Sequence, residues 1–234
     1  MEARHPGALS ARAEARARGG TSPGVLAAAP GEAPSRTTLG PVQALTALWR
    51  RAGEPAAAHD LAAAMLTEER YARCRGVAQQ AARLARARAL DRVGRRRLLA
   101  AAWLHDVGDR PGAGLPALVV ARALRRAGHE ALARIVAHAG NADLAAALSD
   151  LPPVVREFPL PGPADAALIT LLDIAQLTTR SDGARATPTA ALRDLAAAPG
   201  PRGLEVRVMV ALIARLADDP SARDLLERVA VPTP

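Results

Sequence analysis

Leu98-Leu99-Ala100-Ala101-Ala102-Trp103-Leu104-His105-Asp106-Val107-Gly108 decides how this chain is read. Seven apolar residues run into a histidine, an aspartate and then a glycine that stops a helix. The run is far short of the roughly 18 apolar residues a membrane span requires. On a helix over 98–107, Asp106 shares a face with Ala102 and Leu99, and His105 shares one with Ala101 and Leu98. Two titratable groups are thus placed on the apolar side of a core helix. A buried carboxylate is costly unless it is paired, neutralised or bound to a metal. The pair therefore requires a partner from elsewhere, and a divalent cation is the most economical one.

Outward from this stretch, the apolar residues keep a helical period from residue 41 to residue 230. Pro41 opens a helix carrying Leu45, Leu48 and Trp49. Further helices are predicted over 56–66, 68–90, 115–127, 130–138, 164–179, 187–197, 204–217 and 221–229. Thr187-Pro188 reads as an N-cap followed by proline in the first helical position, and Ser221 reads as a cap after Asp219-Pro220. Strand-like alternation is confined to the ambiguous 206–210. Pro152-Pro153 and the prolines of 159–163 mark a loop within the domain, with Phe158 tucked inward. The expectation is one all-α domain over 41–230. Residues 1–40 mix Ala, Arg, Gly, Pro, Ser and Thr without apolar period and read as a disordered tail. No 7–15-residue apolar core follows the early arginines, and there is a single cysteine, Cys74, so a cytoplasmic protein is expected.

The 234 residues carry a net charge of +8, and every basic residue is arginine. Ten arginines between Arg70 and Arg97 face only Asp91, so this segment accounts for the whole surplus. Such a stripe suits phosphate or nucleic acid, or is a solvated helix face in an arginine-biased composition. Trp49, Tyr71, Trp103 and Phe158 are the only aromatics, too few for single-strand recognition by base stacking. The composition also excludes a disulfide scaffold and a collagen-like chain. There is no lysine for a phosphate-binding loop, no Cys/His spacing for structural zinc and no Gly-x-Ser-x-Gly nucleophile elbow.

The 98–108 stretch resembles the signature of HD-domain phosphohydrolases, and the resemblance extends over about 70–183. Arg70-Tyr71-Ala72-Arg73-Cys74-Arg75-Gly76-Val77-Ala78 is similar to that family's first-histidine helix. Val136-Ala137-His138-Ala139-Gly140 is similar to its later histidine segment. The run from Ala175 through Gln176, Thr178, Thr179 and Asp182 to Gly183 is similar to the segment with its last aspartate. The resemblance implies an all-helical HD-like bundle in which His…His-Asp…Asp holds a divalent metal such as Mn, Mg, Ni or Fe for phosphoester hydrolysis. It assigns His105 and Asp106 as ligands and His138 to the pocket. Aligned on Gly76-Val77-Ala78, however, Arg73 holds the place of the first histidine. Aligned on Thr178-Thr179 and Asp182-Gly183, Gln176 holds the place of the last aspartate, and Pro116 falls where many relatives carry a further histidine. Arginine has no lone pair to offer a metal, and glutamine offers only a neutral carbonyl.

Three readings follow. In the first, Arg73 borders the buried stripe, roughly 20° from Leu84 around the helix, and its guanidinium pairs with Asp106 in place of a metal. Gln176 completes the hydrogen bonds, catalysis is weak or lost, and the pocket of His105, Asp106, His138 and Arg73 takes a phosphate-containing small molecule or a protein partner. In the second, the chain is an active metal-dependent phosphohydrolase in which Asp173 supplies a shifted carboxylate and Cys74 is available as a thiolate. In the third, the arginine stripe binds nucleic acid, with affinity falling steeply in salt.

Overall fold

The computed structural model describes residues 40–108, 115–160, 162–197 and 203–230 as helices joined by short connections. They are α1 (Pro41–Arg50), α2 (Pro55–Met65), α3 (Glu68–Ala87), α4 (Arg92–Leu104), α5 (Pro116–Arg126), α6 (Glu130–His138), α7 (Ala142–Leu148), α8 (Pro163–Leu177), α9 (Pro188–Ala197), α10 (Gly203–Asp218) and α11 (Pro220–Ala230). Two 3-10 turns, Ala139–Asn141 and Val154–Arg156, complete the order. Among the described residues there is no strand, only an isolated bridge between Thr179 and Arg185. The protein is all-α, and 206–210 lies inside α10. The tail expected over 1–40 lies, apart from Gly40, outside the described residues.

α4 is the central helix, packed against α2, α3, α6 and α8. Leu98, Ala100, Ala101, Ala102 and Leu104 are all fully buried, as expected of a helix that is apolar all round in its second half. The helix begins at Arg92 rather than at 98, because Asp91 caps it: its Oδ1 accepts from the Gly94 backbone N–H at 2.7 Å. It ends at Leu104 rather than at 107. His105 keeps helical backbone angles (φ −57°, ψ −30°), so the sequence-derived projection of its side chain survives the shorter helix.

Other boundaries move for local reasons. α3 stops at Ala87, short of 90, and Ala89 takes a left-handed φ of 48° in the turn to Asp91. The cap of α11 is Asp219, not Ser221: its Oδ1 accepts from the N–H groups of Ser221 (2.8 Å) and Ala222 (3.3 Å), with Pro220 in the first helical position. The Thr187 cap is present, with its hydroxyl accepting from Ala190 N–H at 3.2 Å. α7 has no counterpart in the sequence reading, since seven residues give too little period to see.

Alanine-rich faces let the helices approach closely, and one contact depends on glycine. A Cβ on Gly76 of α3 would overlap the backbone of Gly183, itself at φ +83° in the turn after α8. α3 and α8 are also tied by Gln80, which donates to the Thr178 hydroxyl at 3.1 Å and accepts from Arg83 at 2.6 Å. Phe158 is fully buried from its proline-rich loop, with the Arg125 guanidinium 3.9 Å from its ring centroid. No described helix is long and apolar enough to cross a membrane.

Candidate functional site

α3 and the C-terminal end of α4 bring Arg73, Cys74, His105 and Asp106 together. Arg73 Nη1 donates to Asp106 Oδ2 at 3.0 Å, and the two side chains retain 25% and 14% of their exposure. This is the expected ion pair, a guanidinium on the carboxylate across two packed helices. Burial pushes the Asp106 carboxyl up, but His105, Arg73 and Arg70 outweigh it and hold it below the ordinary carboxylate range. Burial lowers the Arg73 guanidinium, and Asp106, with smaller help from Cys74 and Glu205, more than restores it, so the cation is permanent.

His105 is buried. Its Nδ1 lies 2.9 Å from the Ala102 carbonyl oxygen, an acceptor only, which places the proton of the neutral ring on Nδ1. Burial is also the main cause that keeps this imidazole below its ordinary pKa, so the ring is neutral at pH 7 and acts on Asp106 as a charge only in more acid solution. Nε2 is left as a bare lone pair. Among the described residues it is the one fully buried side-chain polar atom without a hydrogen bond, 3.5 Å from Asp106 Oδ2. Cys74 Sγ approaches from the other side, 3.9 Å from Nδ1, and burial pushes its thiol well up.

Cys74, His105 and Asp106 offer ligand atoms within 4.8 Å of one another, so the fit of a divalent ion can be judged. Nε2 and Oδ2 are spaced as two ligands of one ion would be. The rest of the set is unsuitable. Cys74 lies on the Nδ1 side and keeps its proton. Arg73 already spends its charge on the same carboxylate oxygen, and a dication there would face a fixed guanidinium. While Arg73 is in place these residues do not fit a metal.

The remaining residues expected at the site are distributed differently. Gln176 lines the same cavity as Arg73, His105 and Asp106, but makes no hydrogen bond to either member of the ion pair. The role of completing their bonds is therefore not filled. His138 is buried, with Nε2 2.9 Å from the Phe158 carbonyl oxygen and Nδ1 3.7 Å from Asp143. It anchors the proline-rich loop and is not among the cavity residues. Asp173 is fully buried and committed elsewhere. Its Oδ1 accepts from Gly140 N–H at 2.6 Å and its Oδ2 from Arg215 at 2.5 Å. Burial raises its pKa to about 6, against the opposing pull of Arg215. Asp173 pins α10 and the Ala139–Asn141 turn to α8, and it is not among the residues lining the cavity of Arg73, His105 and Asp106.

Beside the ion pair lies a cavity of about 490 Å³, a size that suits a small-molecule ligand. Glu69, Arg70 and Arg73 of α3 line it with His105 and Asp106, and α10 supplies a wall of Leu204, Glu205, Val208, Met209 and Leu212. Sequence reasoning missed that wall. Its apolar residues lie on one face of α10 and read as ordinary core, and nothing local says that the opposite side is open. The arginines of the stripe divide between internal bonds and exposure. Arg73 is paired, Arg83 bonds Gln80, Arg88 bonds Ser221 and Arg97 bonds Asp165, leaving Arg75, Arg86, Arg92, Arg95 and Arg96 exposed on two helices. A second His-Asp dipeptide, His59-Asp60, belongs to a half-buried cluster in which His59 bonds Tyr71 at 2.8 Å and packs edge-on against Trp103. Comparison of the chain with family models, with curated proteins and with solved structures gives no match.

Proposed function

We propose that this protein is a ligand-binding helical domain of HD-like type in which Arg73 fills the electrostatic role of a metal, and in which metal-dependent phosphoester hydrolysis is lost. The observation that carries this reading is the 3.0 Å pair between Arg73 and Asp106. A guanidinium fixed by the chain neutralises the buried carboxylate without an ion. The adjoining cavity then serves to bind a small molecule. The hydrolase alternative requires Asp173 as a ligand, and both Asp173 oxygens are already engaged.

The test is the metal content of the purified protein together with phosphoesterase assays in Mn²⁺, Mg²⁺, Ni²⁺ and Fe²⁺. Substoichiometric metal is expected, with no turnover that responds to Asp106→Ala. Stoichiometric metal with turnover abolished by Asp106→Ala would overturn the proposal.

A further inference from the structure

Away from the cavity, three side chains form a continuous line of hydrogen bonds. His59 of α2 stands between Asp60 and Tyr71 of α3, with Nδ1 2.9 Å from Asp60 Oδ1 and Nε2 2.8 Å from the Tyr71 hydroxyl. A carboxylate only accepts, so the proton of the neutral ring sits on Nδ1 and points at Asp60. Nε2 is then the acceptor, and the Tyr71 O–H donates to it. The imidazole is thus within reach of the phenol proton as a general base, with the carboxylate orienting it from behind.

Trp103 of α4 completes the cluster. Its indole is stacked on the Tyr71 ring, with centroids 5.8 Å apart and planes 24° from parallel, and His59 meets it edge-on at 4.8 Å. Tyr71 is the sole tyrosine of the chain, and none of these residues lines the cavity. A tie between α2 and α3 would be served by any acceptor for the hydroxyl. Here the acceptor is a base, and a carboxylate stands ready to offset the charge it gains.

This order of groups suits the loss of one electron from the phenol. A phenol is a weak acid, but its radical cation is a very strong one. Oxidation is therefore easiest where the hydroxyl proton can leave with the electron. His59 Nε2 is placed to take that proton, and Asp60 stabilises the imidazolium that forms. The stacked indole gives an electron vacancy a short route from Trp103 to Tyr71.

From these contacts we propose that Tyr71 is a redox site, oxidised by one-electron oxidants of the peroxyl-radical class, with Trp103 as a point of entry and His59, held by Asp60, as the proton acceptor. The peroxyl radical gains one electron and becomes a hydroperoxide anion. Tyr71 loses that electron, and its O–H bond breaks as the proton passes to His59 Nε2. The products are a phenoxyl radical, an imidazolium and the hydroperoxide anion, which balance the starting atoms and charge. The site is independent of the reading of the cavity as a ligand site.

Pulse radiolysis of the full chain carrying Trp49→Phe tests it, because Trp103 and Tyr71 are then its only indole and phenol. Azide radicals at pH 8.5, which oxidise indole by one electron, generate the Trp103 radical, and absorbance follows its conversion to the Tyr71 phenoxyl radical. His59→Gln keeps an acceptor for the hydroxyl but offers no base, and should slow that conversion at least about tenfold. Asp60→Asn, at an exposed position that leaves the His59–Tyr71 bond in place, should slow it several-fold and decides the matter alone where His59→Gln disturbs α2. Peroxyl radicals from a thermal azo initiator should likewise modify Tyr71 faster in the parent than in either variant, as read by mass spectrometry. Decay of the Trp103 radical with no phenoxyl growth, or equal rates in the parent and both variants, would overturn the proposal.

Discussion

Replacing Arg73 by methionine keeps the length and most of the volume of the side chain and deletes only its charge. Asp106 then remains, largely buried, with no guanidinium on Oδ2. Removing one partner of a buried ion pair costs about 3–5 kcal/mol. The residual exposure of 25% and 14% at this pair lets water take up part of the deficit, so the expected loss is about 2–3 kcal/mol. For a chain of this size that lowers Tm by about 4–12 °C.

The pH dependence has a definite sign. In the wild type the Asp106 carboxyl is held low, so its contribution is present above the unfolded value of about 3.9 and is lost as pH falls through the folded value. In Arg73→Met the unopposed burial raises the carboxyl, and the folded state loses stability as pH rises above about 3.9. The difference between the two proteins therefore widens from pH 4 to pH 7.5. Urea unfolding followed by far-ultraviolet circular dichroism across that range measures it, with Arg75→Met as the control, since Arg75 is exposed one residue further on from Cys74. A loss below about 0.5 kcal/mol at pH 7.5, the scatter of ordinary surface changes, or a loss independent of pH, would refute the reasoning.

Three more outcomes are expected. The double change Arg73→His with Gln176→Asp removes the fixed cation and supplies two ligands, so it should give stoichiometric Mn²⁺ binding by equilibrium dialysis where the parent binds none. Arg215→Gln leaves Asp173 buried without its cation; because that carboxyl already titrates at about 6, the destabilisation should be about 1–3 kcal/mol at pH 8 and smaller at pH 5, where the folded group is protonated in both proteins. Gly76→Ala should cost about 1–3 kcal/mol or more by thermal unfolding, because the new methyl overlaps the Gly183 backbone.

The helices were largely legible because their period and caps are local. Pro41, Thr187-Pro188 and the apolar run before His105 each mark a boundary or a core face without reference to the rest of the chain. Arg73 was legible for a related reason: its angular position at the edge of the buried stripe of α3, set against a stranded carboxylate on α4, leaves few ways to balance the charge. What stayed hidden depends on contacts distant in sequence. Asp173 has a plausible ligand position by spacing, and only the approach of Arg215 and Gly140 shows that it is a tie between elements. His138 likewise reads as a pocket residue until the Phe158 carbonyl is seen to occupy it. The open side of α10 has no signature in its residues at all, since a cavity wall and a core face share one pattern.

The central claim, that Arg73 holds Asp106 as a buried anion where a metal would otherwise be required, is tested most directly by titrating the Asp106 carboxyl carbon by NMR. The wild-type carboxyl should titrate below the ordinary aspartate range, unchanged by chelator or added Mn²⁺, and should move upward in Arg73→Met. A wild-type carboxyl at or above the ordinary range, or one that shifts on chelation and leaves Arg73→Met unaffected, would contradict it.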